Sequence, residues 1–92
     1  MAVLFARVEL RGTPTEATYD NLHAHMRGKN WLQHLPGFPD KLMPHAMYQA
    51  FFPQTPDTLA VANSLKESIE ASVWTRVLVL VIRNEHWAQT VG

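Results

Sequence analysis

The sequence predicts an α+β domain with elements in the order β-α-β, turn, β-α-β. Three observations support this prediction. Apolar residues alternate near both ends of the chain as in half-buried strands, two segments carry apolar residues at helical spacing, and each of those segments begins with a Thr-Pro pair. The 92 residues are 47% apolar and 17% charged, which fits one folded domain over residues 1–92 and excludes a disordered tail.

The first half of the chain begins with a predicted strand and a predicted helix. Residues 2–11 alternate between two faces, and Gly12 ends the strand. Thr13 is the predicted N-cap of the helix, with a proline after it and Glu16 completing a capping box, and Gly28 ends the helix. The residues that we expect to face the core are Leu4, Ala6, Val8, Leu10, Tyr19, Leu22 and Met26.

The second half repeats this layout with different residues. A short strand is predicted over Trp31–Leu35, a turn over residues 36–40 and a third strand over Leu42–Phe52. A second Thr-Pro pair, at Thr55, begins the second helix, and the last strand runs over Thr75–Arg83. The residues that share the inner face of this helix are Thr58, Ala62, Leu65, Ile69 and Val73.

The simplest arrangement of these elements is a ferredoxin-like βαββαβ sandwich, a four-stranded antiparallel sheet with two helices on one face. The last strand then lies at a sheet edge, although both of its faces are apolar. An uncovered apolar edge favours aggregation, so we predict a homodimer through the C-terminal strand or the open sheet face. A monomer is the alternative, if Trp87 and Ala88 cover Val81 and Ile82.

Composition excludes several classes of function. The chain has no cysteine, which excludes a disulfide scaffold, a thiol nucleophile and thiolate zinc sites. His23 and His25 point apart on a helix and no histidine pair has ligand spacing, so no metal and no cofactor is predicted. Eight basic and eight acidic residues exclude the strong positive field of a typical nucleic-acid binder. Without a membrane-length apolar run or a signal-peptide pattern, a cytoplasmic protein with no membrane partner is expected.

A line of polar residues on the first helix is the candidate catalytic site. Its members are Glu16, Asp20, His23 and Arg27, which fall within about 60° of arc. An imidazole between a carboxylate and a guanidinium is able to transfer protons and to stabilise charge on a phosphodiester. The sequence therefore predicts His23, Arg27 and Asp20 as catalytic residues. The alternative is a solvated helix face with intrahelical ion pairs.

Residues 21–39 form a window without any acidic residue. Basic side chains beside an aromatic ring match what single-stranded RNA requires, since phosphates need cations and bases need a ring to stack on. The candidate RNA-binding residues are Arg27, Lys29, Trp31 and His34. For Trp31 the alternative is a place in the core.

Four motifs together resemble a known family. They are Leu-Phe-Ala-Arg-Val-Glu-Leu in the first strand, Tyr19-x-x-Leu22-His23-x-x-Met26, Asn30-Trp31, and Pro-His-Ala-Met-Tyr at residues 44–48. This pattern is similar to the GhoS-type antitoxins of type V toxin–antitoxin systems. The resemblance implies a ferredoxin-like fold and cleavage of single-stranded messenger RNA. Where the family carries an arginine in its first helix, this chain has His23, with Arg27 one turn later.

Two further classes of function stay open. A small dimeric α/β-barrel protein of the monooxygenase type shares this element order but needs a polar residue among the inward positions of the strands, and the first strand has none. A non-catalytic protein-binding module, such as a phage-type or mobile-element regulator, would use the open sheet face or edge to hold a protein partner. The formal net charge of zero suits this second class.

Overall fold

A computed structural model of the chain describes residues 2–35, 38–43 and 45–83. The α+β class predicted from the sequence is confirmed, with two helices and antiparallel strands. The elements are β1 (Ala2–Leu10), α1 (Glu16–Gly28), β2 (His34–Leu35), β3 (Phe38–Leu42), β4 (Met47–Phe52), α2 (Thr58–Ser72) and β5 (Val77–Arg83). Within the described ranges, no helix is both long and apolar enough to cross a membrane.

The main sheet has the strand order β4-β1-β5, with both pairings antiparallel. β1 is central: Ala6 lies opposite Tyr48 of β4 on one side and Val81 of β5 on the other. β2 and β3 form a separate two-stranded sheet. The segment before β2 reaches the main sheet through one isolated bridge, from Leu32 to Gln49 of β4. The sequence predicts four strands in one sheet. In the described part of the chain this sheet has three strands, and the predicted strand Trp31–Leu35 joins it only through the Leu32–Gln49 bridge.

Both helices pack into one hydrophobic core on the same face of this sheet. The inward side chains of β1 meet Leu22 and Met26 of α1 and Leu65 and Ile69 of α2. The fully or nearly fully buried members of this core on the sheet are Leu4, Ala6, Val8, Leu10, Tyr48, Ala50 and Val77. The predicted inner faces of the first strand and of α1 are therefore confirmed. On α2 the prediction is confirmed for Leu65, Ile69 and Val73, whereas Val61 packs against the core in place of Thr58 and Ala62.

The predicted third strand, Leu42–Phe52, is wrong in its first half. Leu42 ends β3, and β4 begins only at Met47. Ala46 lies between them with a φ of 59°, a left-handed conformation that interrupts extended backbone, and its carbonyl oxygen accepts a hydrogen bond from the backbone N–H of Val8. The chain therefore turns at residues 45–46. Phe38 already belongs to β3, so the predicted turn over residues 36–40 is shorter than expected.

The N-cap of α1 is Thr15, so the prediction of Thr13 is also wrong. The Thr15 hydroxyl accepts a hydrogen bond from the Thr18 backbone N–H, and the Thr18 hydroxyl accepts one from the Thr15 backbone N–H. This reciprocal pair satisfies two free donors at the start of the helix, and Glu16 adds a negative charge there without closing the capping box. In α2 the cap is Asp57, whose carboxylate accepts from the backbone N–H of Leu59. Both caps lie two residues after the threonine of a Thr-Pro pair.

The C-terminal end of α1 is a Schellman turn. Asn30 has a φ of 67°, its N–H donates to the carbonyl of Arg27, and the Trp31 N–H donates to the carbonyl of Met26. In this turn the residue after the left-handed position packs back on the last turn of the helix. Trp31 and Met26 accordingly share the hydrophobic core, and the Trp31 ring meets the ring of Phe52 edge-on.

Candidate functional site

The imidazole of His23 lies on the face of α1 that meets β4. Its Nδ1 is 2.6 Å from the hydroxyl oxygen of Tyr48. Tyr48 is fully buried and stands opposite Ala6 of the central strand, so the small Ala6 side chain leaves room for the ring beneath the helix. The contact joins a half-buried histidine to the core of the domain.

This contact fixes the tautomer of neutral His23. The hydroxyl of Tyr48 has no second hydrogen-bond partner among the described residues, and Tyr48 is fully buried away from bulk water. A buried hydroxyl must donate its proton to avoid an unsatisfied donor, and among the described residues the acceptor at hydrogen-bond distance is Nδ1 of His23. This contact therefore favours the neutral His23 tautomer with its proton on Nε2, the nitrogen that would donate toward a ligand.

His45 and Tyr19 complete a group of four rings. The His45 and His23 rings are edge-to-face with centroids 5.5 Å apart, and the His45 and Tyr19 centroids are 4.6 Å apart. His45 is exposed at the turn before β4, and the backbone N–H of Leu10 donates to the Tyr19 hydroxyl at 3.4 Å. Two imidazoles from separate elements are thus adjacent, one anchored to the core and one open to solvent.

Burial lowers the pKa of His23 below its ordinary value of 6.5, because the imidazolium loses solvation. The neighbouring His45 lowers this pKa further, Asp20 raises it, and Arg27 lowers it. Burial also raises the pKa of Tyr48, as does the nearby Tyr19, which keeps the Tyr48 hydroxyl protonated. At neutral pH the pair is therefore an uncharged imidazole and an uncharged phenol.

The predicted catalytic residues of α1 do share one neighbourhood. Asp20 and Arg27 are exposed on α1, one turn to either side of His23, and the charges of both act on the His23 imidazole. The exposed Arg27 guanidinium therefore acts on His23 from the same helix. Glu16 is exposed at the start of the helix.

The predicted RNA-binding residues are spread over several surfaces. Trp31 is only 4% exposed, since the Schellman turn directs it into the core, and it offers no open ring for base stacking. Lys29 is exposed at the helix end and lines, with Trp31 and Phe52, a cavity of about 400 Å³ at the start of α2. His34 is half-buried on β2. Among the predicted RNA-binding residues, only Arg27 lies beside His23.

The sequence reasoning missed His45 and Tyr48. His45 stands alone in sequence, and Tyr48 belongs to an apolar run that is typical of a core strand. Their proximity to His23 depends on the register of β4 against β1 and on the turn at Ala46. Strand alternation puts Tyr48 and Ala50 on the same, helix-facing side of β4. This alternation is the feature of the sequence from which a position of Tyr48 under the helices could have been predicted.

A second histidine contact lies on another side of α1. Nε2 of His25 is 2.6 Å from the hydroxyl oxygen of Ser68 on α2. Burial lowers the pKa of His25, and the positive charge of Lys29 lowers it further. Because this contact joins the two helices, His25 faces away from the four-ring group.

Over residues 2–35, 38–43 and 45–83, no three histidine, aspartate or glutamate side chains come together as metal ligands. Comparisons of the chain with models of protein families, with curated proteins and with solved structures find no match. The four rings and the guanidinium beside His23 are therefore the features of this chain that bear on its function.

Proposed function

We propose that this chain is a small cytoplasmic protein with a ferredoxin-like fold that binds and cleaves single-stranded RNA without a metal ion. The observation that carries the proposal is the pair of adjacent imidazoles, His23 and His45, beside the guanidinium of Arg27. The resemblance to GhoS-type antitoxins supports the same class of activity. Metal-free RNA cleavage requires a group that takes up a proton and groups that stabilise negative charge on phosphate, and these residue types supply both.

His45 is the proton carrier in this proposal, because its exposed imidazole is able to reach substrate. It takes the proton from a ribose 2′-hydroxyl while that oxygen attacks the adjacent phosphorus. The bond from phosphorus to the 5′-oxygen then breaks, and the His45 imidazolium returns the proton to the leaving oxygen. The products are a 2′,3′-cyclic phosphate and a 5′-hydroxyl end, and the imidazole is regenerated.

His23 and Arg27 stabilise charge in this scheme. The Tyr48 hydroxyl holds neutral His23 with its proton on Nε2, so this N–H donates to a non-bridging phosphate oxygen. The guanidinium of Arg27 neutralises the second negative charge that develops at phosphorus. The Asp20 carboxylate raises the pKa of His23, because its negative charge favours the protonated imidazole. Tyr48 is a positioning residue, because it acts only through His23.

The test is cleavage of end-labelled single-stranded RNA at pH 5 to 8, with and without a chelator, with sizing of the products and analysis of their ends. We expect cyclic phosphate ends and no effect of the chelator. His45→Ala should lower the rate by about 10²–10⁴-fold through loss of the proton carrier. His23→Ala should lower it by about 10²–10³-fold through loss of a charge-stabilising donor. Arg27→Ala should weaken both binding and turnover.

His25→Asn is the matched control, because His25 lies on the same helix but contacts Ser68 of α2. This variant should cleave as well as the parent. Tyr48→Phe keeps the buried ring and removes the hydroxyl, so nitrogen-15 shifts of the His23 ring should report a mixture of tautomers in place of Nε2–H alone. Intact RNA across the pH range, or full activity of both His23→Ala and His45→Ala, would overturn the proposal.

A further inference from the structure

The face of the sheet opposite the helices carries an exposed apolar strip on β5. Leu78, Leu80 and Ile82 are 49%, 57% and 47% exposed. The other end of this face is covered: Phe5 of β1 and Met43 are buried against each other, with Val3 and Met47 packed on them. The strip is therefore continuous with a buried apolar cluster but lacks a cover of its own within the described chain.

Arg7 and Glu9 of β1 stand beside this strip. In the sheet register Arg7 lies opposite Leu80 and Glu9 lies opposite Leu78, so the four side chains form the corners of a rectangle on one face. They line a groove of about 280 Å³. Glu9 meets Arg11 at 3.8 Å on the surface, whereas Arg7 has no ion-pair partner within the described residues. The patch thus combines two leucines with one positive and one negative charge.

This rectangle is complementary to itself. A two-fold axis parallel to the sheet, perpendicular to the strands and passing below the centre of the rectangle exchanges the Arg7 position with the Glu9 position. The same rotation exchanges the Leu80 position with the Leu78 position. In a two-fold pair, each contact of one residue type with another occurs twice. One copy on another would therefore form two Arg7–Glu9 pairs and two Leu80–Leu78 contacts.

We infer that a second copy of this chain packs face to face on the β1–β5 surface, with Arg7 of each copy against Glu9 of the other. Charge complementarity selects this occupant, because the same small patch supplies both the cation and the anion that a two-fold partner needs. Packing through the open face also explains the exposure of the strip. Pairing edge to edge along β5 would leave Leu78, Leu80 and Ile82 in solvent, whereas face-to-face packing removes them from water.

Sedimentation equilibrium of the full chain from about 1 to 300 μM tests the inference. We expect a mass that rises with concentration to twice the 10.5 kDa of one chain. Leu80→Lys should give a folded monomer, with its circular dichroism spectrum checked against that of the parent. A parent mass of 10.5 kDa throughout the range would overturn the inference and would mean that another part of the chain covers the strip.

Charge reversal at Arg7 and Glu9 tests the face-to-face arrangement of the dimer, even if the Leu80→Lys variant is insoluble. Arg7→Glu and Glu9→Arg should each raise the dimer dissociation constant by about tenfold to a hundredfold, because each places like charges against each other across the axis. The double variant Arg7→Glu/Glu9→Arg should restore the constant to near that of the parent. Glu67→Lys, on the exposed side of α2, is the control and should change nothing. Unchanged dissociation constants in both single variants would overturn the face-to-face arrangement.

Discussion

Gln49 is a polar side chain in an apolar place. It lies on β4, fully buried, opposite Phe5 of the central strand. Neither its amide nitrogen nor its amide oxygen has a hydrogen-bond partner in the described part of the chain. Its backbone, in contrast, is fully used, since the N–H and the carbonyl oxygen of Gln49 both bond to Leu32. At this position the backbone hydrogen bonds are made, whereas no described residue forms a hydrogen bond with the side-chain amide.

Gln49→Met should stabilise the protein. The thioether has a similar length and no strong donor or acceptor, so the cost of desolvating an unpaired amide disappears. We expect the free energy of unfolding to rise by about 1–3 kcal/mol in urea denaturation. Gln54→Met, at an exposed bend, is the matched control and should leave the midpoint unchanged. A lower midpoint for Gln49→Met would mean that the amide is hydrogen-bonded in solution.

The histidines of α1 predict a loss of stability in acid. Burial lowers the pKa of His23 and of His25 in the folded chain, so the unfolded chain binds protons more readily. Stability from these groups is full above the unfolded pKa of about 6.5 and falls as the pH drops below it, through the lowered folded values. The groups facing His23 are Tyr19, Tyr48, His45, Asp20 and Arg27. Those facing His25 are Lys29 and Ser68.

Urea midpoints measured from pH 7.5 to pH 5 check this prediction. The midpoint should fall with pH, and the slope should be smaller in the double variant His23→Asn/His25→Asn, which has no groups to titrate at these positions. Asp57→Asn is the comparison variant, because it changes the cap of α2 and leaves both histidines in place. A midpoint that rises toward pH 5 would contradict the prediction.

At the scale of the element, the two helix starts follow one rule. The N-cap of each helix lies two residues after the threonine of a Thr-Pro pair, at Thr15 for α1 and at Asp57 for α2. In both, the capping side chain accepts a hydrogen bond from a backbone N–H of the first turn. The Pro-containing pair therefore leads into the cap and is not itself the cap.

Thr15→Ala should cost about 1 kcal/mol of stability, because the Thr18 N–H loses its acceptor and the reciprocal bond is lost with it. Thr13→Ala removes a threonine of the same exposed loop without touching the cap and should leave the urea midpoint unchanged. Equal losses in both variants would show that the helix begins earlier than Thr15.

Several elements were predictable from the sequence because their signals are local. The alternation of β1 and the helical stripes of α1 and α2 depend only on which residues are apolar, and the inner faces follow directly. The cap of α1 was not predictable from the sequence. Thr13 is followed three residues later by Glu16 and Thr15 by Thr18, so both fit a capping box, and only the backbone conformation decides between them. The break between β3 and β4 was not predictable either, because nothing in the sequence indicates that Ala46 adopts a left-handed conformation.

The candidate site divides in the same way. Asp20, His23 and Arg27 share one helix, so their proximity follows from helical geometry and was predictable. The contact between His23 and Tyr48 depends on the register between β1 and β4, and a shift of one residue would turn Tyr48 to the other face of the sheet. Such a contact cannot be derived from spacing along the chain.

At the scale of the whole molecule, the dimer inferred above would link stability to protein concentration. A partner that binds only the folded chain raises its apparent stability by mass action. The melting temperature of the parent should therefore rise with protein concentration, by the equivalent of about 1.4 kcal/mol per mole of dimer for each tenfold increase. Leu80→Lys should melt at one temperature at all concentrations. A parent melting temperature that does not depend on concentration would contradict the dimer.

The central position of β1 has a consequence for the time course of folding. Its two neighbours are β4 and β5, and the pairing of Leu10 with Val77 joins residues separated by most of the described chain. Contacts of such long sequence separation slow the search for the native topology, and they place β1 among slow steps of milliseconds or longer. During synthesis β1 leaves the ribosome before β4 and long before β5, so the edge of β1 that pairs with β5 stays unpaired until residues 77–83 have emerged. Chaperone binding at this strand is the natural protection for the nascent chain.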